Sequence, residues 1–483
     1  MSKNPIKLSA TLLGMALVAF TSCEDQDFTD VNNDATRVEV NTISAEMAKV
    51  RDYVPPYAVM AHRGSTFWAP EETESAWRWA REMGADYLES DLQCTKDGVI
   101  LANHDDNLKR TTNIENVYSE LVPATRKAFY MRHGMSEAEA EKLVEADKAS
   151  FRPYYAMSYM YEELLALDAG SWFNETSIEQ ARESFSEQHQ YISALEDQIR
   201  YAEGKMLKRD VSGERIYTVT GTWNPDKPRD CLTYKFEYVD DPQDTGNRPG
   251  VYIETKAPYL FAGMEKALCA CLKKHGWYDE DASKMKKIAY KNGVPGNVDI
   301  ANTKARIILQ TFSLGGLINM NQEFKRKIPT LFLMYDMTNS TPASYAEKIN
   351  FAIDNGATAM GPNIDYITGY PTSLYPWQGD MIRRTGMDIH AWTFNTQEQL
   401  LKYTGPWCDP KKEGGADKNY VDGAFTNHAD LAINFYRETL EGYLAKGLNY
   451  FRSNAKCGLP DNLHKNTPVK TAQQVLDELH YAK

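Results

Sequence analysis

Apolar residues along this chain gather in short runs, each four to six positions long, separated by polar turns and by longer stretches of helical period. The runs are 57–61, 87–92, 99–102, 250–253, 306–310, 330–334, 357–360, 389–393 and 423–426. Most are apolar without alternation, the pattern of strands buried on both faces. Between several of them lie amphipathic segments such as 73–83 and 344–355. Repeated strand–helix alternation predicts a parallel sheet with helical crossovers. Eight such units predict an α/β chain folded as a TIM (β/α)8 barrel. Nine runs are one too many, and 99–102, close behind its predecessor, is expected to be an extra hairpin strand.

The stretch from Thr112 to Gly250 is far too long for a barrel loop. Its segment 136–149, rich in Ala, Glu and Lys, predicts a helix, while Asn224-Pro225-Asp226 and Asp241-Pro242 mark turns. We expect an insertion of about 113–250 that forms one or two lids or subdomains at the top of a barrel spanning 51–436. Residues 437–483 are expected to be a C-terminal extension, mostly helical, with a loop near Gly458-Leu459-Pro460.

The N-terminus follows another pattern. Lys3 and Lys7 begin a basic start, and an apolar run, 8–20, precedes Thr21, Ser22 and Cys23. The run is shorter than the roughly 20 residues that span a bilayer. It resembles a bacterial lipoprotein signal peptide, 1–22, with Cys23 as the lipidated residue after cleavage. That predicts an exported protein anchored to a membrane through Cys23, in the periplasm or at the cell surface. Residues 23–50 are rich in Asp and Asn and predict a flexible tether. Six further cysteines show no regular spacing, and Cys269 and Cys271 sit where a helix would point them to different faces, against a zinc site.

Composition narrows the function. An apolar fraction of 42% supports a sizeable core. A net charge of -13 argues against nucleic acid or anionic lipid as a bulk electrostatic partner. A small anionic substrate stays open, because a local cation overrides the global field.

Candidate chemistry collects where apolar runs end, at the strand ends where barrel enzymes place their sites. His62-Arg63-Gly64 follows the first run. Glu89 and Asp91 close the second, two apart and so on one face of a strand. Two carboxylates so close repel unless a cation lies between them, and hard oxygen ligands suit Ca²⁺ or Mg²⁺. His104-Asp105 follows the third run, and a second histidine completes an acid–base pair. Glu254 and Lys256 close the strand after the insertion, one able to complete a metal site and the other to neutralise a phosphate oxygen. Taken alone, each acidic pair is also what solvated acids at a strand end would look like.

Together the motifs are specific. His62-Arg63-Gly64, Pro70-Glu71, Glu89-x-Asp91, Lys96-Asp97-Gly98 and His104-Asp105 with Arg110-Thr111-Thr112 resemble the glycerophosphodiester phosphodiesterase family. So do the segment from Leu167 to Phe173, Ser193-Ala194-Leu195-Glu196, Glu254-x-Lys256, Trp392-Thr393-Phe394-Asn395 and the segment from Asp422 to Asn427. The resemblance covers roughly 57–436. It implies a TIM barrel, a divalent cation held by Glu89, Asp91 and Glu254, and His62 and His104 as the acid–base pair. It also implies Arg63 and Lys256 near the phosphate, and Trp392 along the glycerol side. Two departures stand out. Glu72 replaces the family's usual Asn, placing an extra acid near the phosphate site, and Thr426-Asn427-His428-Ala429 replaces Thr-Asp-Tyr-Pro, a change expected to reshape only a rim loop.

The expected activity is metal-dependent hydrolysis of a glycerophosphodiester to glycerol 3-phosphate and an alcohol, with either histidine as acid. A substrate alternative is a lysophospholipid, or an inositol-type or polymeric phosphodiester, with the insertion as a lid; an exposed apolar groove beside the barrel mouth would favour it. A third reading is a non-catalytic surface lipoprotein that binds sugars or glycerophosphates.

Overall fold

The computed structural model describes residues 34–55, 57–287, 305–337, 339–364, 373–404, 421–439 and 469–483. Its strands are β1 (Ala58–Ala61), β2 (Tyr87–Cys94), β3 (Ile100–Ala102), β4 (Lys205–Leu207), β5 (Tyr217–Gly221), β6 (Leu232–Phe236), β7 (Tyr238–Asp240), β8 (Gly250–Thr255), β9 (Ile307–Thr311), β10 (Thr330–Met334), β11 (Ala359–Pro362), β12 (Asp388–Phe394) and β13 (Gly423–Thr426). All nine predicted runs are strands. Eight pair in parallel in the order β1, β13, β12, β11, β10, β9, β8, β2, and β2 pairs back to β1, so the sheet closes into a barrel. The ninth, β3, lies antiparallel on the far end of β2, as the hairpin expectation had it.

Closure explains the unbroken apolar runs. Each barrel strand has its inner face in the packed lumen and its outer face under a helix, so every residue of β1, β2 and β8 is buried. At Gly250 a Cβ would lie 2.6 Å from the Tyr87 ring and 2.8 Å from the Arg306 carbonyl, which is why this strand begins on glycine. Helix Glu74–Met83 follows β1, Leu195–Ala202 follows β2, and Met264–Lys274, Leu314–Glu323, Pro342–Asp354, Pro376–Thr385, Gln397–Thr404 and Ala429–Asn434 follow β8 to β13 in turn. Part of the expected insertion is therefore the barrel's own second crossover helix.

The rest of that segment builds its own core. Leu101, Phe129, Tyr130, Tyr159, Trp223, Tyr234 and Phe236 belong to a cluster separate from the barrel interior. Helix Glu137–Ser150 starts at a Ser136–Glu139 capping box, matching the predicted 136–149. Strands β4 to β7 were not predicted; they pair as two short antiparallel ribbons, β4 with β7 and β5 with β6. The subdomain is fastened to the barrel by charge. Asp241 accepts from Arg78 at 2.7 and 2.9 Å and from Arg81 at 2.5 Å, on a helix whose ten residues are all buried.

The later part of the expected tether, 23–50, packs on the barrel instead. Asn41 bonds Asn350 at 2.7 Å, Ile43 N–H donates to the Thr385 carbonyl at 2.9 Å, and Ala45–Arg51 is a helix capped by Ser44. The polar composition there serves hydrogen bonds to the barrel rather than solvent alone. At the other end, helix Ala472–Glu478 docks on the barrel, where Trp79 Nε1 donates to the Ala472 carbonyl at 3.1 Å. The expected signal peptide 1–22, Cys23, Cys408, Cys457 and the expected loop at Gly458-Leu459-Pro460 lie outside the described residues. The four described cysteines, Cys94, Cys231, Cys269 and Cys271, are free. Among the described residues, no helix is long and apolar enough to cross a membrane.

Candidate active site

The site is assembled by register. Alternation along β2 sends Glu89 and Asp91 into the barrel mouth, while Ser90 between them turns outward to bond Gln198 at 2.9 Å. In the parallel pairing of β2 with β8, Asp91 lies opposite Glu254. One oxygen from each of Glu89, Asp91 and Glu254 then falls within 4.8 Å of the others, in a fully buried trio. Lys256, one pleat beyond Glu254, reaches the same place. Its Nζ is 3.4 Å from Glu254 Oε1 and 3.7 Å from Asp91 Oδ1, as its position two residues along the strand required.

The trio carries charge it cannot offset alone. Asp91 Oδ2 and Glu254 Oε1 are buried and are met only by ion pairs, with Arg63 Nε at 2.9 Å and Lys256 Nζ at 3.4 Å. Burial and then Asp91 push Glu89 well above the usual carboxylate range, and burial pushes Glu254 up to about 8. Asp91 moves the other way: against its own burial, Lys256 and Arg63 hold it low. Three buried carboxylate oxygens that converge and repel one another fit a hard divalent cation.

The turn after β1 faces this trio. Arg63 adopts a left-handed conformation, φ 51°, that sends its N–H to Glu89 Oε2 at 2.8 Å and its Nε to within 2.9 Å of Asp91 Oδ2. Gly64 follows at φ 85°, against helix Glu74–Met83. Glu71 takes both guanidinium nitrogens of Arg110, at 2.9 and 2.6 Å, so a second arginine stands at the rim. Beside it, Glu72 is 2 % exposed, and its Oε1 accepts the Asp91 N–H at 2.6 Å.

The two histidines have different partners. His62 Nδ1 lies 2.7 Å from Asn427 Oδ1. Asn427 spends its amide N–H on Asn395 Oδ1 at 2.9 Å, so its oxygen accepts and the proton sits on Nδ1 of His62. Burial, reinforced by Arg63, lowers the His62 pKa to about 3, so the ring is neutral and its Nε2 lone pair is free. His104 Nδ1 instead meets Asp105 Oδ1 at 2.5 Å. Arg110 on Asp105 at 2.6 Å helps hold that carboxylate ionised, so it accepts and His104 Nδ1 donates.

All of these open on one cavity of about 480 Å³ at the barrel mouth. His62, Arg63, Glu89, Asp91, His104, Glu254, Lys256 and Trp392, the eight predicted site residues within the described chain, all line it. Its far wall is aromatic: Phe312 packs edge-on against Trp392 and Tyr335, at 5.7 Å between centroids in each case. Sequence reasoning missed Phe312, Tyr335, Gln310 (which donates to Glu89 Oε1 at 2.9 Å) and Asn427. The expectation that the Thr426–Ala429 departure reshapes only a rim loop is corrected. Ala61 pairs with Thr426, so barrel closure carries Asn427 to the side of His62. The signal was present: Asn427 immediately follows the last strand, which a closed barrel returns to the first.

The family model described as the glycerophosphoryl diester phosphodiesterase family matches residues 62–431. A glycerophosphodiester phosphodiesterase of Bacillus subtilis is 26% identical over 386 residues, covering 80% of this chain and 86% of its own. One from Arabidopsis thaliana is 25% identical over 398 residues, covering 78% and 85%. Among solved structures, an Oleispira antarctica phosphodiesterase in complex with sn-glycerol-3-phosphate is 16% identical, covers 79% of this chain and 96% of its own, and has a TM-score of 0.42. With the match running from the His62 turn past the last barrel strand, the chain belongs to the glycerophosphoryl diester phosphodiesterase family and is an enzyme of that family.

Proposed function

We propose that this enzyme hydrolyses glycerophosphodiesters to glycerol 3-phosphate and an alcohol, with Glu89, Asp91 and Glu254 holding a divalent cation, Ca²⁺ or Mg²⁺. Convergence of that trio with two differently partnered histidines in one cavity carries the reading. Bound there, the cation supplies positive charge to a phosphoryl oxygen or the glycerol hydroxyls. Arg63 and Lys256 bind the remaining phosphate oxygens and stabilise the charge that builds as the nucleophile adds. His62, neutral with Nε2 unprotonated, takes the proton from the attacking water, or from a neighbouring glycerol hydroxyl whose cyclic phosphate water then opens in a second step. As the P–O ester bond breaks, His104 gives a proton to the departing alkoxide, its Nδ1 held by Asp105. A panel of glycerophosphodiesters assayed with and without chelator tests this. Turnover in excess chelator removes the cation from the mechanism.

A substrate with an acyl chain, such as a lysophospholipid, is a second reading. It is favoured by Tyr259, Leu314 and Tyr335, large apolar side chains exposed just beyond the neighbouring strands β8, β9 and β10. Tyr259→Ser with Leu314→Ser then lowers kcat/KM for the lysolipid and spares the soluble diester; equal effects on both remove this reading. Export and anchoring through Cys23 are proposed from the sequence alone.

A further inference from the structure

Arg110 lines the rim of the cavity with its nitrogens turned to neighbouring acids. Nη1 and Nη2 donate to the two carboxylate oxygens of Glu71, at 2.9 and 2.6 Å, and Nε donates to Asp105 Oδ2 at 2.6 Å. The other oxygen of Asp105, Oδ1, accepts from His104 Nδ1 at 2.5 Å. A chain of hydrogen bonds therefore runs from Glu71 through Arg110 and Asp105 to the ring of His104. Its inner end is anchored, because Glu71 is buried and also takes Arg63 Nη1 at 3.4 Å.

The outer end needs that anchor. His104 and Asp105 are neighbours on the irregular segment after β3, and their side chains are 26% and 31% exposed. An exposed pair of this kind gains little and does not fix one geometry by itself. A carboxylate free to turn about its Cβ–Cγ bond presents either oxygen to His104, or neither. Arg110 removes this freedom. Its guanidinium is planar and is held at two points by a buried carboxylate, so Nε meets Asp105 from one direction. With Oδ2 taken, Oδ1 is left to face His104 Nδ1. Against its own burial, the bonds from His104 and Arg110 hold the Asp105 carboxyl well below the usual carboxylate range, so it stays an acceptor.

We propose that Arg110, fixed by Glu71, is a positioning residue for His104: it locks Asp105 so that Nδ1 of His104 is held and Nε2 is presented to the departing alkoxide. This rests on the acid role proposed for His104 and deepens it. As the P–O bond breaks, the Nε2 proton passes to the alkoxide oxygen, and Nδ1 keeps its own proton on Asp105. The same fork ties the acid to the phosphate side of the cavity, since Glu71 meets Arg63 as well.

The leaving group separates positioning from packing. An ethanolamine alkoxide needs a proton as it departs, whereas p-nitrophenolate does not. kcat and KM are measured on glycerophosphoethanolamine and on the p-nitrophenyl ester of glycerol 3-phosphate. The proteins are wild type, His104→Ala, Arg110→Met, Arg110→Lys, Asp105→Asn and the double variant of Arg110→Met with Asp105→Asn. Expected for Arg110→Met is a fall in kcat of about tenfold to 10²-fold on the ethanolamine ester, with the nitrophenyl ester changed by about twofold or less. Arg110→Lys should lose nearly as much, since an ammonium lacks the planar fork that holds Glu71 and Asp105 together. With Asp105→Asn already present, Arg110→Met should cost little more, because it acts through Asp105. Equal losses on both esters, a raised KM with kcat unchanged, full activity in Arg110→Lys, or losses that multiply in the double variant each overturn the proposal. If His104→Ala itself loses equally on both esters, His104 is not the acid, and the proposed mechanism fails together with this inference. If His104→Ala is selective for the ethanolamine ester and Arg110→Met is not, only this inference fails.

Discussion

Single side chains divide the chemistry here. His62 and His104 carry the same ring, yet the first has an amide oxygen on Nδ1 at 2.7 Å and the second a carboxylate oxygen at 2.5 Å. Replacing either by alanine should lower kcat by about 10²-fold or more, since a positioned acid or base contributes 10²–10⁴-fold. Circular dichroism should show both variants folded. Near-full activity in either one removes that histidine from the reaction. Asn427 gives a sharper test. Asn427→Asp puts a negative charge beside His62 Nδ1, favours the imidazolium and raises the His62 pKa from about 3. A base must be unprotonated to act, so the acid limb of the kcat/KM profile should move to higher pH, with the loss greatest at acidic pH. An unmoved limb means that His62 is not the base.

At the scale of elements, the turn after β1 and helix Glu74–Met83 are packed as a unit. Gly64 sits at φ 85°, and a Cβ there would be 2.6 Å from Ala76 Cβ and 2.9 Å from the Ala76 carbonyl carbon. Left-handed strain of roughly 1–2 kcal/mol and overpacking of about 1–3 kcal/mol both act against Gly64→Ala. Its unfolding midpoint in urea should fall, and activity should fall with it because His62 and Arg63 share the displaced turn. A variant as stable as wild type would mean that the helix can move aside freely. The same helix is held from outside, where Arg78 bonds Asp241 of the inserted segment and Tyr481 of the C-terminal segment, the latter at 3.0 Å. Sequence-distant parts therefore brace the helix that begins just after Glu71 and Glu72.

Across the whole molecule, the proposed cation site ties folding to cation binding through buried acids. A ligand bound only by the folded state stabilises it by about 2.7 kcal/mol at one hundred times its dissociation constant. Chelator should therefore lower the melting temperature, and adding Mg²⁺ or Ca²⁺ back should restore it in a concentration-dependent way. A melting temperature indifferent to both would contradict a cation between Glu89, Asp91 and Glu254. Anchoring is testable at the same scale: Cys23→Ser should leave an unlipidated, unprocessed or soluble form on membrane fractionation, and wild type found free in the cytoplasm would refute the lipid anchor.

The chain's pattern alone determined the barrel and much of its site. A strand buried on both faces leaves a continuous apolar run, and a strand end that bears catalysis leaves a charged dipeptide straight after it; both are local signals, so β1 to β3, β8 to β13 and the residues from His62 to Lys256 could be read one after another. Tertiary structure decided what depends on neighbours distant in sequence. Asn427 meets His62 only because the last strand closes on the first. Gln310 meets Glu89 across two strand pairings. The polar residues from Asp34 onward gave up the freedom their composition predicted because Asn350 and Thr385 supply partners. Strands β4 to β7, three to five residues each, carry too little pattern to announce themselves and exist by pairing and by the core they cover. Periodicity reports the solvent a residue avoids, whereas closure, pairing and charge balance report which residue it avoids solvent with, and that is settled only once the chain has folded.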